Sequence, residues 1–247
     1  MSIKDCDTVL ENLYSTFSAY AVNYTMQGSP AYGNLEDWNL EITSKTLREL
    51  SADALSRFAA KAMTTWGTIT DFKHFLPRIF ELVANLDCPT EIWIIFSKLE
   101  MAKWEEWPNA ERKNIADYFL ALFGKMLNES ANFSANDFED YFTALFQFSN
   151  QPEFLLKMWE ENMSQQALLR LAEFIVSQSG FIFEKNVVRG FYDSSKNIEL
   201  MQKWLVRNQM HEKMTSAFVQ FEKESFAEKF SWAQLTIKGE LEKLLKD

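Results

Sequence analysis

Glycine and proline are scarce in this sequence, and their scarcity constrains the fold more than any other feature. Seven glycines and five prolines are spread over 247 residues. A sheet of many strands needs turns at short intervals, and those turns draw heavily on these two residue types. Leu, Glu, Lys, Ala, Gln and Met, which favour helices, are abundant. The sequence therefore predicts an all-α fold.

Apolar residues recur at spacings of three and four, a pattern typical of helices with one buried face. We expect a first helix from Thr8 to about Met26, and another that begins at Ser51 and is stopped by Gly67. About a dozen helices with short connections should form antiparallel hairpins. Two helices with their turns take about 40 residues, the size of a HEAT-like unit. We predict one all-α domain over residues 1–247, an irregular α-solenoid or α/α superhelical array.

Two regions allow more than one interpretation. Trp104 and Trp107 lie three residues apart on a helix expected over Glu91–Trp107. They could be exposed anchors for a partner, since Trp is enriched in binding hot spots, or they could pack between adjacent helices. Residues 179–196 could form a hairpin, an irregular arm that contacts a partner, or a short helix. Both sets of alternatives stay open at the level of the sequence.

Residues 65–81 combine a Trp-Gly stop, a helix start, an interior proline and one of the two histidines. We expect a helix from Asp71 with Thr70 as its N-cap. Its polar residues share one stripe, at spacings of three, four and three: Asp71, His74, Arg78 and Glu81. Pro77 removes one backbone hydrogen bond and predicts a bend, unless the helix begins near Pro77 instead.

The polar stripe also has two interpretations. In the first, its four residues form an ion-pair and hydrogen-bond network that joins two hairpins, with Trp66 closing the corner. In the second, His74 and Arg78 face a groove and bind a carboxylate, a phosphate or a side chain of a partner. The first interpretation predicts a loss of stability when His74 or Arg78 is removed, and the second predicts a loss of binding.

Two segments in this region carry a resemblance to other proteins. Ala62–Gly67 is Ala-Met-Thr-Thr-Trp-Gly, and Asp71–Leu82 is Asp-Phe-Lys-His-Phe-Leu-Pro-Arg-Ile-Phe-Glu-Leu. The pair resembles segments of uncharacterised bacterial proteins of all-α type. The resemblance implies a bacterial cytoplasmic protein, and it carries no assigned activity.

The charge of the chain indicates a class of partner. The formal net charge is −10, and residues 201–247 hold seven acidic and eight basic residues, so the acidic excess lies before them. An acidic surface repels phosphate backbones, which disfavours nucleic-acid binding, and it attracts basic proteins. No apolar run is long enough for a membrane helix, and the first residues lack an apolar signal core. Two cysteines make no disulfide framework, which favours the cytoplasm.

The sequence carries no common catalytic motif. It has no glycine-rich phosphate loop and no Gly-x-Ser-x-Gly elbow. His211-Glu212 begins like a zinc-protease helix, but Thr215 stands where the second histidine is required. We therefore expect no catalytic residue, no metal and no cofactor.

We predict a non-enzymatic protein-interaction module that binds a basic protein, as an immunity-type protein does when it neutralises a toxin. The alternative is an enzyme or a small-ligand-binding protein with a polar pocket near His74 and Arg78. The candidate binding residues under these hypotheses are Trp66, Asp71, His74, Arg78, Glu81, Trp104 and Trp107.

Overall fold

Helices dominate the computed structural model, which describes residues 4–129, 132–188 and 195–244. Over these ranges the chain forms twelve α-helices and no β-strand, which confirms the all-α fold. None of the helices described there is both long enough and apolar enough to cross a bilayer.

The first six α-helices are α1 (Cys6–Phe17), α2 (Leu35–Thr43), α3 (Ala52–Lys61), α4 (Ile69–Ala84), α5 (Ile92–Met101) and α6 (Asn109–Asn128). The other six are α7 (Ala135–Phe148), α8 (Pro152–Glu161), α9 (Gln165–Ser179), α10 (Ser195–Leu205), α11 (Asn208–Gln220) and α12 (Ala227–Leu244). Short 3₁₀ turns cover Leu47–Glu49 and Trp104–Glu106, and a π-helical turn covers Gly180–Glu184.

The helices group into two compact units, which are described separately. Unit 1 is Met1–Leu122 and unit 2 is Phe123–Asp247. In unit 1, α4 packs against α1 and α3, and α3 also contacts α2 and α5. In unit 2, α7 packs against α8 and α9, α8 contacts α10, and α9 contacts α11 and α12. Each unit buries its own apolar side chains.

Several predicted helix starts are confirmed. They could be predicted because each depends on a cap or a proline next to the first residues of the helix. The hydroxyl of Ser51 accepts from the backbone N–H of Ala54, at the start of α3. The hydroxyl of Ser134 accepts from the backbone N–H of Asp137, at the start of α7. Pro152 occupies the first position of α8, where its missing N–H costs no helical hydrogen bond.

The predicted extent of the first helix is wrong at both ends. Asp5 caps α1 by accepting from the backbone N–H of Thr8, and the helix ends at Phe17. The apolar spacing continues to Tyr24, which is 65% exposed and not helical, whereas Met26, the expected end of the helix, is buried without being helical. The intervening residues include Val, Asn and Thr, which are weak helix formers, so tertiary contacts rather than helix propensity hold this segment.

The sequence predicted that Gly67 ends α3, and this prediction is wrong. The helix ends at Lys61, and Gly67 lies in the corner that follows, at φ 70°. Its N–H donates to the carbonyl of Gln27 at 2.8 Å, while the carbonyl of Thr65 accepts from Ser29 at 2.8 Å. Glycine is favoured here because this left-handed conformation strains any other residue.

Helix α4 begins earlier than predicted and runs without a break through Pro77. Its N-cap is Thr68 rather than Thr70. The carboxylate of Asp71 accepts from the N–H of Thr68 at 2.7 Å, and the hydroxyl of Thr68 accepts from the N–H of Asp71 at 3.3 Å. This reciprocal capping box fixes the start, so the alternative of a helix that begins near Pro77 is wrong.

The single helix predicted over Glu91–Trp107 is also wrong. Helix α5 ends at Met101, because Lys103 takes the left-handed conformation at φ 51°. Trp104 opens the 3₁₀ turn that follows, and Trp107 lies just after it. The two indoles are therefore not on one helical face.

The alternatives for residues 179–196 are partly resolved. The chain continues from α9 into the π-helical turn Gly180–Glu184, so no hairpin forms over that stretch. Residues 189–194 of the proposed arm lie outside the described part of the chain.

The core of unit 2 is centred on Trp159 of α8, which is fully buried. Five aromatic rings lie with their centroids within 6 Å of its indole ring: Phe123, Phe138, Phe142, Phe174 and Trp204. Its indole N–H donates to the carbonyl of Ala167 at 3.0 Å. One side chain thus joins helices from most of the unit.

Substituting Trp159→Ala should lower the free energy of unfolding by about 3–5 kcal/mol, because it leaves a large cavity. Urea denaturation measures this change. The matched control is Trp232→Ala on α12, whose side chain is 60% exposed and whose removal should cost about 0.5 kcal/mol or less. Equal losses for the two variants would contradict the assignment of Trp159 as the core of unit 2.

Candidate functional site

Helix α4 carries the polar stripe predicted from the sequence. Most residues of the helix are buried; within the stripe, Asp71 is buried, and His74, Arg78 and Glu81 are half-buried. The carboxylate of Asp71 accepts hydrogen bonds from Thr68 in the capping box at the start of the helix. His74 donates from Nδ1 to the backbone carbonyl of Tyr20 at 2.8 Å, since a carbonyl can only accept. The structure therefore gives Asp71 and His74 separate partners within unit 1.

Arg78 and Glu81 do come together. The Nη1 of Arg78 donates to the carboxylate of Glu81 at 2.6 Å, and its Nε donates to the carbonyl of Leu50 at 2.8 Å. The hydroxyl of Tyr14 donates to the same oxygen of Glu81. The guanidinium of Arg48 lies 3.7 Å from the centre of the Tyr14 ring. This half-buried network connects α4 to α1 and to the segment that contains the first 3₁₀ turn.

The hydrogen bonds of this network shift two pKa values. Burial alone would raise the pKa of Glu81, but the hydrogen bonds from Tyr14 and Arg78 offset burial and hold the pKa below its ordinary value. Burial and the hydrogen bond to Glu81 raise the pKa of Tyr14. The folded protein thus favours an ionised Glu81 and a neutral Tyr14.

A second polar cluster on α4 was not predicted. Lys73 is buried, and its ammonium donates to Glu111 at 2.7 Å and to the hydroxyl of Tyr20 at 3.0 Å. It also lies 4.0 Å from the centre of the Trp107 ring. In the sequence, Lys73 is next to Phe72 and three residues before Leu76. This position on the apolar face of the helix was the signal that could have indicated a buried lysine.

The three candidate tryptophans are buried. The indole of Trp66 donates to the side-chain oxygen of Asn39 at 2.9 Å. Trp107 donates to the carbonyl of Ala102 at 2.8 Å, and Trp104 packs edge-on against Phe119. These contacts agree with the interpretation of Trp104 and Trp107 as packing residues and with Trp66 as a corner residue.

A groove of about 740 Å³ lies in unit 2, lined by α8, α10, α11 and Met163. Sequence reasoning did not predict it, because its helices are far apart along the chain. Its apolar lining is formed by Leu156, Met163, Leu200 and Trp204. Its charged lining is formed by Glu153, Lys157, Glu160, Glu161, Arg207, Glu212 and Lys213. Such a volume is within the range of pockets that bind ligands.

Lys213 is the buried cation of this groove. Its ammonium donates to the carbonyls of Glu160 at 2.6 Å and Asn162 at 3.0 Å, and it lies 3.2 Å from the sulfur of Met163. These carbonyls lie at the C-terminal end of α8, where no backbone N–H of the helix is available to them, and Lys213 donates to them instead. Burial lowers the pKa of Lys213, although Glu160 opposes the shift. Lys213 is thus bound by the protein itself.

The remaining cations of the groove are also paired. Arg207 lies 3.3 Å from the carboxylate of Glu160, and Lys157 lies 3.6 Å from Glu161. Glu153 and Glu212 are exposed and receive no hydrogen bond or ion pair from any residue that the structure describes. The groove therefore presents two unpaired carboxylates beside an apolar lining.

A smaller recess of about 420 Å³ lies between α11 and α12. Glu212 lines it together with His211, Leu235 and Lys238, so the recess adjoins the groove. Within the described ranges, no group of three or more His, Cys, Asp or Glu side chains is placed to hold a metal ion.

Comparisons with protein families, with curated proteins and with solved structures gave no match. The resemblance based on Ala62–Gly67 and Asp71–Leu82 therefore stays a prediction.

Substituting Glu81→Gln should lower the free energy of unfolding by about 1–3 kcal/mol at pH 7, because a charged acceptor of two hydrogen bonds is lost. Since the folded pKa of Glu81 lies below its ordinary value of 4.5, its contribution is present above that value. It should disappear as the pH falls through the folded pKa. Urea denaturation at a series of pH values measures the difference.

The matched control is Glu41→Gln, which breaks an ion pair with Arg57 on the exposed surface. It should show a much smaller loss at pH 7. A difference between wild type and Glu81→Gln that persists unchanged at low pH would contradict the proposed role of the ionised carboxylate.

Proposed function

We propose that this chain is a non-enzymatic protein-interaction module whose partner is a basic protein, and that the partner docks in the groove of unit 2. The observation that carries the proposal is the pair of unpaired carboxylates, Glu153 and Glu212, beside an apolar lining. The cations that line the groove are bound to protein atoms, so the charge left for a partner is negative.

The shape and lining of the groove favour an amphipathic segment. Met163 is 56% exposed, and on α12 Leu235 lines the adjoining recess and is equally exposed. An amphipathic helix could place an apolar side chain against these residues and its basic side chains against Glu153 and Glu212. Apolar anchors supply affinity in this mode of recognition, and charges supply orientation and specificity.

The packing of unit 2 supports a stacked-hairpin arrangement. Helix α7 contacts α8 and α9, α8 contacts α10, and α9 contacts α11 and α12. Most of these contacts join a helix to its first or second neighbour, as hairpins stacked in an irregular, HEAT-like array do, and the contact of α9 with α12, its third neighbour, is a departure from that pattern. Such arrays present extended surfaces that bind proteins. The HEAT-like arrangement is part of this proposal.

Within this class we propose an immunity-type role, in which the chain blocks a basic toxin in the bacterial cytoplasm. The net charge of −10 supports this choice, because it speeds the encounter with a basic protein. Nucleic acid fits this charge poorly.

The second hypothesis, an enzyme or ligand pocket beside His74 and Arg78, receives less support. The Nδ1 of His74 is bound to the carbonyl of Tyr20, and two nitrogens of Arg78 are bound to Leu50 and Glu81. These bonds favour a structural role for His74 and Arg78 in joining elements of unit 1, with Arg78 and Glu81 as the pair of the stripe that bonds to each other.

The double variant Glu153→Gln and Glu212→Gln should weaken binding to the partner by about tenfold at low salt, equivalent to about 1.4 kcal/mol. The partners to test are basic proteins encoded beside this gene. Calorimetry at low and high salt measures the dissociation constant, and the loss should shrink as salt rises. Co-expression should also restore the growth of cells that produce the toxic partner.

The matched control is Glu105→Gln with Glu106→Gln, which removes the same charge from unit 1. It should leave the affinity close to that of the wild type. The proposal is overturned if no basic neighbour binds at micromolar concentration, or if the groove variant and the control weaken binding equally.

A further inference from the structure

Three lysines are buried in the described part of the chain, and they differ in what holds their ammonium groups. Lys73 has a carboxylate, a phenol and an indole ring. Lys213 has two backbone carbonyls and a thioether sulfur. Lys98 has only the hydroxyl of Thr64, at 3.5 Å. The third lysine therefore stands out as a buried cation with little to compensate it.

Lys98 lies in the last turn of α5 and is 4% exposed. No carboxylate pairs with it among the residues that the structure describes. Burial lowers the pKa of Lys98, and no opposing charge offsets that effect. The C-terminal end of a helix favours a cation, but it does not replace the acceptors that an ammonium group loses on leaving water.

The corner beside Lys98 carries more donors. Thr64 adjoins Thr65, whose hydroxyl accepts from the hydroxyl of Tyr32 at 2.8 Å. The ammonium of Lys61 donates to the same hydroxyl of Tyr32 at 3.1 Å. Lys61, like Lys98, has no carboxylate partner within the described ranges.

Some donors in this corner remain available. Lys98 and Lys61 each have ammonium hydrogens beyond the single bond that the structure shows, since an ammonium group has three. The hydroxyl of Thr65 accepts from Tyr32 and keeps its own hydrogen for another acceptor. Lys98 contacts Thr64, and Lys61 contacts Tyr32, which contacts Thr65. Both cations therefore lie beside the same pair of threonines, and neither has a carboxylate partner among the described residues.

We propose that this corner, formed by Tyr32, Lys61, Thr64, Thr65 and Lys98, binds a phosphate-type oxyanion. A tetrahedral oxyanion offers acceptors in several directions, which suits donors that come from α3, from α5 and from the loop that follows α3. Charge-assisted hydrogen bonds to phosphate are about twice as strong as neutral ones. The site lies in unit 1 and does not depend on the groove proposed to bind a protein.

The test is titration of the full-length chain with inorganic phosphate, followed by calorimetry and by thermal unfolding at constant ionic strength. Phosphate should raise the melting temperature of the wild type, because it binds only the folded state. Lys98→Met should weaken phosphate binding at least about tenfold, since it removes the buried cation. Without phosphate, the melting temperature of Lys98→Met should be no lower than that of the wild type, because the substitution leaves no carboxylate without its ion-pair partner.

The matched control is Lys45→Met, which removes one positive charge from an exposed position in unit 1. Its response to phosphate should equal that of the wild type. The proposal is overturned if phosphate does not bind the wild type, if Lys98→Met responds as the wild type does, or if acetate binds as tightly as phosphate. If Lys98→Met fails to fold, Lys61→Met and Tyr32→Phe replace it, and unchanged affinity in both overturns the proposal.

Discussion

The buried and half-buried polar side chains of α4 each need a hydrogen-bond partner, and the segments of unit 1 that pack against α4 supply these partners. Lys73 pairs with Glu111 of α6, and Arg78 reaches the carbonyl of Leu50. His74 reaches the carbonyl of Tyr20, in the connection after α1. Leaving Lys73 unpaired would cost more than its bond contributes, because it is buried and water cannot replace the lost partner, whereas the cost is smaller for the half-buried His74 and Arg78. The partners therefore fix which segments lie against α4.

The same requirement decides which charges remain for a ligand. In unit 2, Lys213 is bound by the carbonyls at the end of α8, and Arg207 is paired with Glu160. The carboxylates left over are Glu153 and Glu212, and they define the proposed docking groove. In unit 1, Lys98 has a hydroxyl but no carboxylate beside it among the described residues, and it defines the proposed anion site. In both units the inferred site follows from charges that have no opposite charge beside them in the described part of the chain.

The fold was predictable wherever a local signal was enough. Ser51, Ser134 and Pro152 each mark a helix start, because a cap or a missing N–H acts within four residues. Helix ends were less predictable. Lys103 ends the regular structure after α5 by taking a left-handed conformation, and nothing in its residue type signals that. The apolar spacing of the first helix matched burial as far as Phe17, but beyond it Tyr24 is exposed and the chain is not helical.

The candidate sites show where sequence reasoning reached its limit. The polar stripe on α4 was predicted from its spacing, but Asp71 turned to the capping box. Lys73 does not share the three-four-three spacing of the stripe, so the spacing did not reveal this buried charge. The three buried lysines share one signal, a position on the apolar face of a helix, as Lys98 has between Ile95 and Ala102. That signal locates a buried charge but not its partner.

By itself the sequence determined the all-α class, most helix starts and the apolar faces, because these depend on residue types within one or two turns. Only the tertiary structure decided which charges are satisfied. Lys73 and Glu111 are 38 residues apart, and Lys213 and the carbonyl of Glu160 are 53 residues apart. The energy of such a bond depends on both groups leaving water together, and only packing of distant helices brings them to the same place.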